Sequence, residues 1–314
     1  MPDHIRQLER RTASSAIAGL APKNLNGAKL REMQDINLIA GEHAVLLLHG
    51  LAGSPLEMRY VARMLHKDGF SVVVPHIAGY GYGYGGAATD WREWHDNALD
   101  TFERMKRDFR TVSVSGLCIG AVLALSLAVE RSRDIAALSL LSTTLSYDGW
   151  SVPWYRFLLP LGYYTPLRYL YSYAEREPYG LKNELLRKRI VRAMQRESLT
   201  EVGATSIPMN HIYQAMRLIR QVKRNVSSVE VPTLIVHAID DDTAIVKSAD
   251  FVVNHIGSRK VRKIFLDDCY HMVTMDNERE LVARETRDFF REQIGIVSVR
   301  RSPAQSAGRR AAKS

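Results

Sequence analysis

A chain of 314 residues with 46% hydrophobic and 25% charged side chains has the composition of an ordinary soluble globular protein, with enough apolar material for one large domain or two unequal ones. Its two cysteines, Cys118 and Cys269, are too few for a disulfide framework and point to a reducing, cytoplasmic location. No apolar run reaches the roughly 18 residues of a membrane span, and the N-terminal stretch carries acids without a long apolar core, so no signal peptide is expected. The net charge of +9 is unevenly placed. Residues 151–228 hold thirteen Lys/Arg against five Asp/Glu, and residues 298–314 hold five basic residues and no acid, so the remainder is net acidic.

Taken in order, residues 1–35 are mixed, poorly periodic and read as a leader. Ile36–Ile39 and His43–Leu48 read as successive strands, and the second runs into the small-residue loop His49 to Pro55. Met58, Val61, Ala62 and Leu65 have the spacing of one helix face, which Gly69 ends. Ser71–Pro75 is another buried strand. The glycines of residues 79–86 alternate and lack the Gly-Lys-Ser/Thr ending of a phosphate loop, so that run reads as a loop near an entrance. A helix is expected from about Asp90, a good N-cap residue, to about Lys106.

The stretch Thr111–Leu125 reads as a buried strand, a very sharp turn and a helix. Between the halves lies Gly116-Leu117-Cys118-Ile119-Gly120, a G-x-C-x-G form of the nucleophile elbow. Such a turn strains its central residue and lifts that side chain clear of the sheet. A β-carbon at either glycine would collide with the neighbouring strand or helix. Ala136–Ser142 is a further strand, after which the rhythm stops near Asp148. Residues 150–228, with two tryptophans, many tyrosines and five prolines, read as several short helices. The rhythm resumes with a strand at Val231–His237, a helix over Lys247–Ile256, a strand at Val261–Leu266 and a helix over Asp276–Gln293. Strands alternating with helices imply a mostly parallel, doubly wound sheet. Residues 36–147 and 229–295 are then two parts of one core, 148–228 a helical lid inserted between core strands, and 296–314 a basic disordered tail.

An acyl-transfer site needs a nucleophile, a base, a group that orients the base, and donors for an oxyanion. Cys118 opens a helix, where the partial positive charge favours thiolate. His271 follows the strand that ends at Leu266, at the same sheet edge as the elbow, and is the candidate base. Asp240, Asp241 and Asp242 all follow the strand that ends at His237, and position alone leaves the choice among them open. The backbone N–H groups of Leu51 and Ile119 are the expected oxyanion hole. Cys269 reads as buried and inert, with a disulfide to Cys118 as the alternative. No His/Cys/Asp cluster has metal-ligand spacing, and no cofactor is expected.

Four segments in this order resemble the α/β-hydrolase superfamily and, within it, the bacterial carboxylesterase and monoacylglycerol lipase group: Ala40–Gly50 with its loop, Gly116–Gly120, Ala238–Asp242 followed by Ser248-Ala249, and Tyr270–Asp276. The resemblance covers roughly residues 36–294, lid included. It implies the α/β-hydrolase fold, favours Asp241 as the triad acid, and makes His49 a loop-packing residue. It departs at Cys118, where that group has serine. Cysteine there resembles dienelactone hydrolases and polyhydroxyalkanoate synthases.

The function so implied is a Cys-His-Asp enzyme that hydrolyses acyl esters or thioesters through an acyl-thioester intermediate. The alternatives are an acyltransferase to an amine, alcohol or thiol, a polyhydroxyalkanoate synthase, and a non-catalytic binder of acyl ligands. Trp154, Phe157 and Leu158 of the lid are expected on the substrate. Arg187, Lys188, Arg189, Arg192 and Arg196 are the candidate dock for an anionic partner. The expected partner is a small acyl ester or thioester, including acyl-CoA or an acyl carrier protein, with peripheral contact to anionic lipid and a homodimer as further options. No nucleic acid is expected.

Overall fold

A computed structural model describes residues 34–80, 90–174, 176–196, 199–200, 203–204 and 206–295. The expected leader up to residue 33, residues 81–89 of the glycine-rich loop and the basic tail lie outside the described residues.

Strand β2 (His43–Leu48) is buried from Ala44 to Leu48, and β5 (Ile135–Leu141) and β6 (Thr233–Ala238) are nearly as apolar and as deeply covered. Strands apolar on both faces belong inside a sheet with helices on each side. They join β1 (Ile36–Leu38), β3 (Ser71–Val74), β4 (Thr111–Leu117) and β7 (Val261–Leu266) in one seven-stranded sheet of order β1-β3-β2-β4-β5-β6-β7. Only β1 runs antiparallel, against β3; every other pairing is parallel. This is the α/β-hydrolase sheet that the sequence leads one to expect.

Helices α1 (Arg59–Lys67) and α7 (Arg279–Gln293) pack on one face through Val61, Leu65, Val282 and Phe290. The other face carries α2 (Trp91–Asp108), α3 (Ile119–Arg131), α5 (Met209–Asn225) and α6 (Lys247–His255). Asp90 caps α2 and forms a capping box with Glu93, which fixes the start the sequence suggested. Helix α3 is buried from Ile119 to Ala128, as befits a helix that is apolar on all sides.

Residues between β5 and β6 hold 3-10 turns at Trp154–Leu158 and Pro166–Tyr169, a short helix Leu159–Tyr163, and α4 (Glu184–Arg196) as well as α5. Two of these helices are longer than expected, α4 at 13 residues and α5 at 17. Helix α5 owes its length to a stripe at Met209, Ile212, Ala215, Leu218, Ile219 and Val222. Ala215 to Val222 of that stripe join the main core against α3, where burial of each Leu or Ile is worth about 1.5–3 kcal/mol.

The chain leaves β2 for β3 on one side and returns to β4 on the other, so the crevice between the ends of β2 and β4 is a topological switch point. Leu48 pairs with Gly116 and Leu117 with Leu141, which sets the His49 loop, Cys118 and Ser142 side by side at the carboxyl edge. Ala238 pairs with Leu266, so the loops carrying the aspartates and His271 leave the same edge. No helix among the described residues is long and apolar enough to cross a membrane.

Candidate active site

Cys118 joins β4 to α3 with φ 58° and ψ −120°, a conformation that costs a non-glycine residue about 1–3 kcal/mol. Packing holds it there. Its N–H donates to the Leu141 carbonyl at 2.9 Å, and its own carbonyl accepts from the Ala121 N–H at 3.1 Å. A β-carbon on Gly116 would stand 2.1 Å from the Gly120 carbonyl oxygen, and one on Gly120 would stand 2.3 Å from that of Leu48. Glycine at both positions is what lets α3 start so close to the sheet. The Thr144 hydroxyl donates to the Cys118 sulfur at 3.4 Å.

The imidazole of His271 is buried, and its Nδ1 lies 2.9 and 2.8 Å from the two oxygens of Asp241. The Asp241 carboxylate also accepts the N–H groups of Thr243 and Ala244, each at 2.8 Å. An acceptor-only carboxylate on Nδ1 puts the ring proton there and leaves Nε2 for the pocket side. Nε2 makes no hydrogen bond of ordinary geometry among the described residues, yet the Cys118 sulfur is near enough to act on the ring's ionisation. Burial pulls the His271 pKa down, but the charge of Asp241, then that of Cys118, outweighs it and holds the ring well above the usual histidine range. Burial pushes Asp241 up, and the charge and hydrogen bond of His271 more than reverse this, so its carboxyl is held below the usual range.

The three consecutive aspartates do three different things. Asp240 is exposed and pairs with Lys182 at 3.4 Å. Asp241 meets His271. Asp242 is buried and accepts the backbone N–H groups of Gly180 at 3.1 Å and His271 at 3.3 Å. Burial, reinforced by Asp241 and opposed by His271, raises the Asp242 carboxyl above its ordinary value. It ties the inserted segment to the histidine loop.

Leu51 lies in the loop after β2, and its neighbours' backbone donors are taken. The Gly50 N–H goes to Glu57 at 2.8 Å, that of Ala52 to Tyr80 at 3.0 Å and that of Gly53 to Gly50 at 3.1 Å. Ile119 opens α3, where a first-turn N–H has no intrahelical acceptor. His49 packs beneath this loop: Nδ1 donates to the Gly50 carbonyl at 2.9 Å and Nε2 accepts from the Ile77 N–H at 3.3 Å.

Sequence reasoning missed Glu57. It is 2% exposed, its carboxylate lies against Gly50 and Gly53, and it faces the same cavity as Cys118. The spacing Ser54-x-x-Glu57 is that of a capping box, and Ser54 does accept the Leu56 N–H at 3.4 Å, but Glu57 turns inward instead.

Cys118 and His271 open onto a cavity of about 640 Å³ whose wall is mainly apolar, with Leu51, Tyr147, Leu158, Leu161, Ile207 and Met272 among its residues. Of the three lid residues expected there, Leu158 is present and Trp154 and Phe157 are not; they stand 81% and 64% exposed. A 3-10 turn repeats every three residues. It sends Trp154 and Phe157 to one side, and Tyr155 and Leu158 to the cavity. The cations expected to dock an anion are displaced too. Arg187 bonds the Leu181 carbonyl and Lys188 pairs with Glu184, and neither they nor Arg189 and Arg192 line the cavity. The side chain of Arg196 lies outside the described residues. Cys269 is fully buried and free, its sulfur accepts the Glu278 N–H at 3.3 Å, and burial pushes its thiol far up.

The family model described as "Serine aminopeptidase, S33" (Hydrolase_4) matches residues 41–278. A carboxylesterase of Bacillus subtilis (strain 168) is 25% identical over 256 residues, covering 79% of this chain and 92% of that protein. A thermostable monoacylglycerol lipase of Bacillus sp. (strain H-257) is 26% identical over 256 residues, covering 81% and 93%. Among solved structures, the monoacylglycerol lipase of Paleococcus ferrophilus superposes with a TM-score of 0.69 at 15% identity, over 83% of this chain and 99% of that one. Since the family match spans most of its length, the chain belongs to the Hydrolase_4 (serine aminopeptidase, S33) family, with the α/β-hydrolase fold, and is similar to a carboxylesterase and a monoacylglycerol lipase.

Proposed function

We propose that this protein hydrolyses acyl esters, with Cys118 as nucleophile, His271 as base and Asp241 as the group that orients the base. The observation that carries the reading is the two-oxygen grip of Asp241 on His271 beside a sulfur perched at positive φ on a helix start. The thiol proton passes to Nε2 of His271, and the sulfur attacks the ester carbonyl carbon. The oxyanion takes the N–H groups of Leu51 and Ile119, which the occupied donors of Gly50, Ala52 and Gly53 leave as the fitting pair. Collapse expels the alcohol, which receives the proton from His271. Water, deprotonated by the same ring, then attacks the acyl-thioester, releasing the acid and restoring the thiol. Residues 148–228 act as the lid over this site in the same reading.

The apolar cavity and the named activities of the two Bacillus relatives support an ester of an apolar acyl chain as the substrate class. Nothing in those comparisons supports transfer to an amine, alcohol or thiol. The test is turnover of p-nitrophenyl esters and monoacylglycerols, with intact mass and peptide mapping of the quenched enzyme. The expected result is free acid, an acyl adduct on the Cys118 peptide, and a loss of about a thousandfold or more in Cys118→Ala. Full activity in that variant, or an adduct elsewhere, would remove the reading. Product that partitions with added acceptor would mark a transferase.

A further inference from the structure

The cavity wall is mainly apolar, and its ionisable groups other than tyrosine fall into two sets. At the reacting end lie Cys118, His271 and the two buried carboxyl groups, Glu57 and Asp242. The lining also includes two exposed arginines. Arg156 comes from the 3-10 turn Trp154–Leu158, and Arg176 from the segment leading to Tyr179 and Gly180.

Both arginines are exposed, and among the described residues neither side chain has a hydrogen bond or an ion pair. Other arginines near this segment are occupied: Arg168 donates to the Tyr163 carbonyl at 3.0 Å, Arg187 to that of Leu181 at 3.2 Å, and Arg217 to Asp90 at 2.7 Å. Among the described residues no acidic side chain lines the cavity apart from Glu57 and Asp242, and both face the reacting end, where Glu57 accepts the Gly50 N–H and Asp242 those of Gly180 and His271. Arg156 and Arg176 are thus two exposed cations, without partners among the described residues, on the lining of a mainly apolar cavity, inside a segment with thirteen basic residues against five acidic ones.

We propose that the substrate is an ester bearing an anionic group, carboxylate or phosphate, at the end remote from the reacting carbonyl, and that Arg156 and Arg176 bind it. The proposal rests on the ester-hydrolase reading of the same cavity. A guanidinium fork suits either oxyanion, since each offers two oxygens in one plane. The apolar stretch between the arginines and Cys118 takes the chain.

The test compares two esters of equal chain length, neutral p-nitrophenyl octanoate and mono-p-nitrophenyl suberate, which ends in a carboxylate. They are run on wild type, Arg156→Ala, Arg176→Ala, the double variant and the two lysine variants. A second pair, the same octanoate ester and p-nitrophenyl 8-phosphooxyoctanoate, reads phosphate in place of carboxylate at that far end. The expected result is a lower KM for the anionic member of a pair at low salt. Each alanine variant should raise that KM roughly five- to tenfold, with kcat and the neutral-ester KM unchanged and partial recovery with lysine. Equal KM values within both pairs on wild type, or variants that shift both members alike, would overturn it while leaving ester hydrolysis standing. Calorimetry with the monoamide of suberic acid against neutral octanamide reads the arginines without turnover. It would decide the point even if no ester were cleaved, an outcome that would count against the hydrolase reading instead.

Discussion

At the scale of single residues, the ionisation of His271 is set by a contest that Asp241 decides. Burial favours the neutral ring, and the carboxylate on Nδ1, with Cys118 on the far side, favours the charged one and prevails. The nucleophile proposed above, Cys118, suits such a ring, because thiolate beside imidazolium is a reactive pair, whereas a serine hydroxyl needs a neutral base. Asp241→Asn keeps the shape and removes the charge that raises the ring. We expect kcat/KM to fall about a thousandfold or more and the alkaline limb of the pH–rate profile to move to lower pH, since the ring now loses its proton earlier. Alkylation of Cys118 by iodoacetamide near neutral pH should slow in parallel. Asp240→Asn, which alters only an exposed pair with Lys182, should leave rate and profile near wild type. An Asp241→Asn enzyme with an unmoved alkaline limb would show that the ring is not held by that carboxylate.

At the scale of elements, the loop between β2 and α1 is shaped by one inward carboxylate. Glu57 takes the Gly50 N–H, which precedes the donor of Leu51 by one residue, and its other oxygen lies where any β-carbon on Gly53 would stand, 1.8 Å away. Glu57→Ala leaves a buried N–H without its acceptor, a cost of about 1–3 kcal/mol, and frees the loop to move. The expected kinetic sign is a fall in kcat with little change in KM. Glu57→Gln, whose amide oxygen still accepts from Gly50, should recover most of it, and a Gln variant as poor as the Ala variant would show that charge, not loop position, is at stake. Nothing in the sequence marks this residue out, because the spacing Ser54-x-x-Glu57 is also that of an ordinary capping box. The elbow was plain, because the demands on Gly116 and Gly120 are local and repeat within five residues. Strands β2, β3 and β6 were plain because their apolar runs are short and marked off by Gly41 and Gly50, by Gly69 and Pro75, and by Pro232. Position could not separate Asp240, Asp241 and Asp242, because three consecutive loop residues point in three directions that only the fold decides. Trp154 and Phe157 looked like substrate contacts on aromatic content alone; the three-residue repeat of a 3-10 turn, which faces them outward, left no mark in a proline-rich stretch.

At the scale of the whole molecule, burial favours the neutral ring in several histidines, and the fold is expected to lose stability in acid. His49 donates from Nδ1 to the Gly50 carbonyl and accepts at Nε2 from the Ile77 N–H, so a second ring proton would face a donor. Burial, then the neighbouring His76, brings its pKa to about 3 despite the Gly50 carbonyl. Burial also lowers His211 and His237. An unfolded histidine titrates near 6.5, so below that value the unfolded chain binds protons that the folded one refuses. The contribution is therefore whole above about pH 6.5 and drains away as the pH falls toward 3. Asp241, held low by His271, loses stability in the same direction, as pH falls through its depressed value. His271 and Asp242 run the other way, since their raised values mean the folded state keeps those protons longer. For His49 alone the loss by pH 4.5 is about 2–3 kcal/mol, a large part of the 5–15 kcal/mol that a domain commonly has. Urea unfolding should show a clearly lower stability at pH 4.5 than at pH 7. In His49→Gln, which starts less stable for want of its hydrogen bonds, the gap between the two pH values should narrow by that same 2–3 kcal/mol. An unchanged gap would mean that the imidazole of His49 takes up its proton in the folded state, and that the loop over the cavity tolerates a charge beneath it.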